Sequence, residues 1–200
     1  EKLWIKTLIQ ETLEIPEERL LFSEHHLSHA ASAFLCSPFE EAAIFTADGV
    51  GEWATTTMGI GRASWNGQRR NELTILRELR FPHSLGLLYS AFTAFLGFEV
   101  NEGEYKVMGM APYGTPRYVD EVWRLIRQTD DGAFRLEMDY FSYHYSAVRS
   151  FSRKFERLFG PPRDSQAPFV TGEFGDTLDQ DPDLRKQSQH YADIAASIQK

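Results

Sequence analysis

The sequence predicts a mixed α and β fold, and three observations predict it. Apolar residues recur at helical spacing in several stretches, one central stretch changes to β-rich runs broken by glycine turns, and a nearly continuous apolar segment follows. A meander, then a helix buried on several sides, then further elements of both kinds is an α+β or α/β plan. In chain order, Trp4, Ile5, Leu8, Ile9 and Leu13 share one helical face, and Pro16 closes that helix because proline cannot continue the hydrogen-bond ladder. The short apolar run Arg19 to Phe22 is expected as a buried strand. His25 to Leu35 reads as a helix carried by Ala30, Ala31 and Ala33 and ended by Pro38.

Ala42 to Gly61 forms two strand-like runs on either side of the turn Asp48-Gly49-Val50-Gly51, and the Asn66-Gly67 pair leads into a third run, Leu73 to Leu79. The expectation is a three-stranded antiparallel meander closed by Pro82. Ser84 to Phe98 is apolar on most faces, as a buried helix should be. Further helices are expected at Pro116 to Gln128 and at Ser146 to Phe159, the second with the stripe Phe151, Phe155, Leu158 and Phe159. Gly160 to Leu184 turns to Pro, Gly and acid, including Glu173, Asp176, Asp179, Asp181 and Asp183, and reads as a surface loop. A terminal helix begins near Tyr191, with Ile194, Ala195 and Ile198 at its spacing.

Composition bounds the function. The 200 residues suffice for one domain or a large piece of one, and 42% hydrophobic content excludes a disordered chain. Lys plus Arg number 21 against 29 for Asp plus Glu, and the net charge of −8 argues against a broad nucleic-acid footprint or an anionic membrane surface. Small molecules or proteins are the expected partners. Cys36 has no second cysteine to pair with, no apolar run approaches the ~20 residues of a membrane span, and no signal stretch opens the chain. A cytoplasmic protein is therefore expected. A chain opening on Glu1, with a last helix lacking a stop signal, further suggests a piece cut from a longer protein.

Three constellations carry chemistry. His25 and His29 stand four apart on the second helix, so both imidazoles project from one face at a separation that suits a shared metal ion, while His26 points elsewhere. Ordinary hydrogen-bonded histidines are the competing explanation. A metalloprotease would need Glu directly after the first His, and His26 stands there, so peptidase chemistry is excluded. Asp48 is the natural third ligand, beside glycines that let backbone N–H groups approach an anion, although Asp-Gly is also an ordinary hairpin choice. Two His and a carboxylate with open positions suit iron, and zinc or manganese less distinctively. The third constellation, Asn101 to Gly114, sets Asn101, Glu104 and Lys106 among glycines, where they could meet ribose or phosphate or simply form a polar turn.

Taken together, HHLSHAASAFLCSPFEEAAIFTADGVGEWATTT, FPHSLGLLYSAFTAFLGF and GEYKVMGMAPYG resemble the amino-terminal domain of the O-carbamoyltransferases, the NodU, CmcH and TobZ family. The resemblance runs from about Leu20 to the terminal helix. It implies that residues 1–200 are part of a Kae1-like domain of the actin-like ATPase superfamily, in which an RNase H-like core is duplicated, with a YrdC-like domain elsewhere in the protein. It implies that carbamoyladenylate, made from carbamoyl phosphate and ATP, gives its carbamoyl group to a hydroxyl of a sugar, an antibiotic or a similar acceptor. The positions matching the family's iron ligands are His25, His29 and Asp48, with a fourth ligand expected after Lys200. Gly49, Val50 and Gly51 would supply backbone donors, and Asn101, Glu104 and Lys106 would lie near the nucleotide.

The resemblance assigns no catalytic base here: His26 and His83 are the histidines that suggest themselves, each with a structural alternative. With a ligand and a domain missing, the chain alone is expected to lack turnover. Two other functions stay open. One is a hydrogenase-maturation type carbamoyltransferase acting on a protein cysteine, marked by acylphosphatase and zinc-finger segments. The other is a nucleotide-binding regulatory domain without transfer.

Overall fold

The β-rich stretch forms three strands, β1 (Glu41–Gly51), β2 (Ala54–Arg62) and β3 (Glu72–Arg80), in the order β1-β2-β3, the expected antiparallel meander. The computed structural model describes residues 4–64, 67, 70–171 and 181–200. Asp48 to Gly51, expected as the first turn, instead lie inside β1. The turn falls later, at Glu52 and Trp53, with Glu52 in the left-handed region at φ 62°. Small residues at 49 and 51 allow close approach as well as turning, and sequence alone does not separate the two uses. Of the Asn66-Gly67 pair, Asn66 lies outside the described residues, and Gly67 has φ 71°.

Packing divides the chain into two units, Glu1–Thr46 with Thr57–Arg77, and Ala47–Thr56 with Glu78–Lys200. In the first, α1 (Ile5–Leu13) is the expected amphipathic helix, yet no residue of it is buried, and Trp4, Leu8 and Leu13 are exposed. The buried strand expected at Arg19 to Phe22 is absent: Glu17–Arg19 is a 3-10 turn, and Leu21 is 94% exposed. A short apolar run signals burial only when a neighbouring strand accepts its backbone groups, and none does so among the described residues. Next comes α2 (His25–Phe34), whose buried positions His26, Ala30 and Phe34 follow a helical repeat of four. The Phe34 ring packs where Gly61 of β2 has no side chain; a Cβ there would fall 2.6 Å from the ring.

The second unit holds the apolar core. Helix α3 (Leu85–Phe95) is capped by Ser84, whose hydroxyl accepts from the Leu87 N–H at 3.0 Å. The polar segment that reads as a turn folds as α4 (Glu104–Met110), because Val107 and Met110, three apart, both reach the core. A helix was expected over Pro116 to Gln128, but α5 (Val119–Trp123) is short. Ile126–Gln128 leave it to form β4, paired antiparallel with β5 (Phe134–Leu136) in the register Ile126 to Leu136. Helical spacing there competes with a nearby strand partner, and the partner wins.

The helix expected from Ser146 likewise starts late, as α6 (Arg153–Phe159). Ser152 caps it by accepting from Lys154 N at 3.1 Å, and Phe151 forms a bridge with Phe141. Residues 160–171 follow without helix or strand; Glu173, Asp176 and Asp179 lie outside the described residues. The surface loop proposed as far as Leu184 ends sooner. Asp181 caps α7 (Pro182–Ile198), accepting from Asp183 N and Leu184 N, with Pro182 at the first helical position.

Phe92 and Phe95 of α3, Phe155 and Phe159 of α6, and Tyr191 of α7 converge in the core with Phe141 and Phe151. Ring centroids stand 4.7 Å apart for Phe155 and Phe159 and 5.0 Å for Phe92 and Phe155, the latter edge-to-face. Each such ring contributes roughly 1.5–3 kcal/mol by leaving water. Helix α7 is also held by Asp193, which is buried and accepts from Thr115 N and the Gln189 amide, both at 2.7 Å, with Arg117 at 3.4 Å. No helix of the described residues is long and apolar enough to cross a membrane.

Candidate metal centre

Helix α2 turns its Ala30 and Phe34 side inward, and this phase leaves His25 and His29 on an adjoining exposed face. Their Nε2 atoms share a hydrogen bond of 3.0 Å, and their rings are nearly perpendicular, with centroids at 4.6 Å. Sequence spacing put the two side chains on one face; the structure adds that both present the same ring nitrogen to the same space. His26 faces the other way. It is buried, and its Nδ1 shares a hydrogen bond of 2.7 Å with the Thr46 hydroxyl.

In the second unit, Asp48 lies near the end of β1. Its carbonyl accepts from the Ser84 hydroxyl at 2.8 Å, and the first turn of α3 is pressed onto its backbone at Gly86. A Cβ at Gly86 would fall 2.6 Å from Gly49 N and 2.7 Å from the Asp48 carbonyl. The carboxylate is oriented by its neighbour, since Gly49 N–H donates to Asp48 Oδ1 at 2.6 Å. That N–H, expected as a donor to a substrate anion, is thus engaged by the chain itself. Val50 is exposed and Gly51 buried, so of these two Val50 alone presents itself to solvent.

Asn101, Glu104 and Lys106 surround the start of α4. Glu104 Oε1 accepts from Asn101 N at 3.0 Å and from the Ser90 hydroxyl at 3.3 Å, and Asn101 is held in the left-handed region at φ 71°. This carboxylate therefore closes the turn entering α4, as a residue near a helix N-terminus can. Lys106 is exposed, with its ammonium 6.0 Å from the Phe98 ring and 5.9 Å from the Tyr105 ring. Of the two histidines considered as bases, His83 has its Nδ1 occupied, accepting from Leu136 N at 3.2 Å. Burial lowers its pKa, helped by the positive charges of Arg135 and Arg127, so the ring favours the neutral state. Both His26 and His83 thus have Nδ1 engaged within the fold.

Sequence reasoning missed Ser84, Gly86, Thr46 and Thr57. A serine before an apolar helix is a legible cap signal; its second bond, to the Asp48 carbonyl, is not.

Residues 2–200 match the family model described as "Carbamoyltransferase N-terminus". The chain is 48% identical over 209 residues to sll1178, an uncharacterized Synechocystis protein, aligning with all of this chain and 30% of that one. It is 38% identical over 127 residues to the nodulation protein NolNO of Sinorhizobium fredii, covering 63% of the chain and 18% of NolNO. It is 36% identical over 118 residues to the nodulation protein NolO of Bradyrhizobium diazoefficiens, covering 58% of the chain and 20% of NolO. The chain therefore spans less than a third of the length of each of these relatives.

Proposed function

The chain belongs to the carbamoyltransferase N-terminus family, and from that premise we propose that it is the metal- and adenylate-handling part of an O-carbamoyltransferase. In this reading its meander and α3 open an RNase H-like core of the Kae1-like, actin-like ATPase kind. The rest of the protein, including a YrdC-like domain, makes carbamoyladenylate from carbamoyl phosphate and ATP. The observation that carries the reading is the His25 and His29 pair. Two nitrogen ligands bound at right angles to one ion, each at ~2.1 Å, stand about 3.0 Å apart, and the two Nε2 atoms are separated by 3.0 Å.

Asp48 completes the set in this reading. Two imidazoles, one carboxylate and open positions fit a divalent metal, iron before zinc or manganese. Such an ion, when bound, polarises an oxygen of the adenylate. The chain's own share is to hold His25, His29 and Asp48 in place. Val50 and the exposed face of α4 with Lys106 border the nucleotide in this reading, and Asn101 and Glu104 shape that border through their hydrogen bond.

Carbamoyladenylate is a mixed anhydride, so no covalent enzyme nucleophile is needed. The acceptor alcohol oxygen bonds to the carbamoyl carbon, the bond from that carbon to the phosphate oxygen breaks, AMP leaves, and the alcohol proton passes to a base. The full-length protein, given ATP and carbamoyl phosphate, should release pyrophosphate only when both are present. His25→Ala and His29→Ala should abolish transfer to alcohols and metal retention together. Nucleotide binding without pyrophosphate release would instead favour a regulatory domain, and carbamoylation of a protein cysteine a hydrogenase-maturation type enzyme.

A further inference from the structure

The residue between the two proposed ligands has its own partners. His26 is buried, at 4% exposure, and its Nδ1 shares a 2.7 Å hydrogen bond with the Thr46 hydroxyl. That hydroxyl shares another, also 2.7 Å, with the Thr57 hydroxyl on β2. Thr46 and Thr57 are themselves buried. We propose that His26, Thr46 and Thr57 form a positioning chain that fixes the rotation of α2 and so sets the aim of the His25 and His29 rings. The inference rests on the metal-binding reading above.

The argument is one of direction. The buried face of α2 consists of His26, Ala30 and Phe34. Ala30 and Phe34 are held by apolar contact, which tolerates small rotations, whereas a hydrogen bond weakens steeply with misalignment. A ring about 6 Å from a helix axis sweeps about 2 Å when the helix turns by ~20°. Metal–ligand distances tolerate only about 0.2 Å. The polar anchor sits in the first turn of α2, beside both ligands, where a rotation would do most harm. An apolar side chain at position 26 would fill the same space without fixing the angle. The chain runs from one strand through a second to the helix, so it also ties the helix to both strands at one level.

The test uses Co(II) as the probe, titrated into the full-length protein and followed by its visible absorption band, with urea unfolding measured in parallel. Thr46→Val and Thr57→Val keep the shape and remove the hydroxyl. Each should weaken Co(II) binding about tenfold and change the band, the effect seen when groups orienting metal ligands are removed. Thr46→Ser should restore wild-type affinity, and His26→Asn, which keeps a polar atom near the Nδ1 position, should bind more tightly than His26→Leu. Unfolding midpoints that fall while Co(II) affinity and band stay at wild-type values would overturn the inference and leave the metal reading standing. A wild-type protein that does not bind Co(II), or binds it equally well after His25→Ala, would overturn the metal reading and this inference with it.

Discussion

Gly86→Ala sets two known effects against each other. Replacing glycine by alanine inside a helix ordinarily gains about 1 kcal/mol, because glycine loses more backbone entropy on folding than alanine does. At Gly86 the new Cβ would fall 2.6 Å from Gly49 N and 2.7 Å from both the carbonyl carbon and oxygen of Asp48. Ordinary contact is about 3.5 Å, so the methyl group intrudes by about 0.8 Å on three backbone atoms, and backbone cannot rotate aside as a side chain can. Overpacking of this kind costs about 3 kcal/mol, which outweighs the propensity gain and leaves a net loss of about 2 kcal/mol. Gly109 is the internal control. It lies within α4, where a Cβ meets nothing within 4 Å, so Gly109→Ala should stabilise by about 0.5–1 kcal/mol. Urea unfolding of the two variants should move the midpoints in opposite directions at an unchanged slope. A Gly86→Ala midpoint at or above wild type would refute the claim that α3 is seated directly on the Asp48 backbone.

Phe155→Ala should cost about 4 kcal/mol in the same assay, because Phe155 is fully buried among four other phenylalanine rings within 5.5 Å. Asp193→Ala should cost about 3 kcal/mol by leaving the Thr115 N–H and the Gln189 amide without their acceptor; Asp193→Asn, which keeps one acceptor oxygen, should cost less. His83 has a lowered pKa in the folded chain, so the unfolded chain takes up its proton first as pH falls. Its contribution should be complete above about pH 6.5 and shrink as pH drops towards the lowered value. Unfolding midpoints between pH 8 and 5 should therefore fall less in His83→Asn than in the wild-type protein.

The meander, the amphipathic first helix and the buried α3 were legible because each is announced locally, by alternation, by a repeat near four, or by apolar residues on most faces. The turn position, the late start of α6 and the escape of Ile126–Gln128 into a strand were not. Each depended on a partner outside the segment itself: Gly86 against β1, Phe141 against Phe151, and Phe134–Leu136 against Ile126–Gln128. The same holds at the candidate centre. Helical geometry alone put His25 and His29 on a common face, but Gly49, chosen as a donor to substrate, donates to Asp48, and Glu104, chosen for a nucleotide, closes the turn into its own helix.

Residue order determined which side chains occur at helical or strand spacing, because periods of 3.6 and 2 are properties of the backbone itself. Tertiary structure decided what each of those side chains does. Whether an imidazole such as His26 binds a metal or a threonine depends on which way its helix is turned, and contacts with other segments set that rotation.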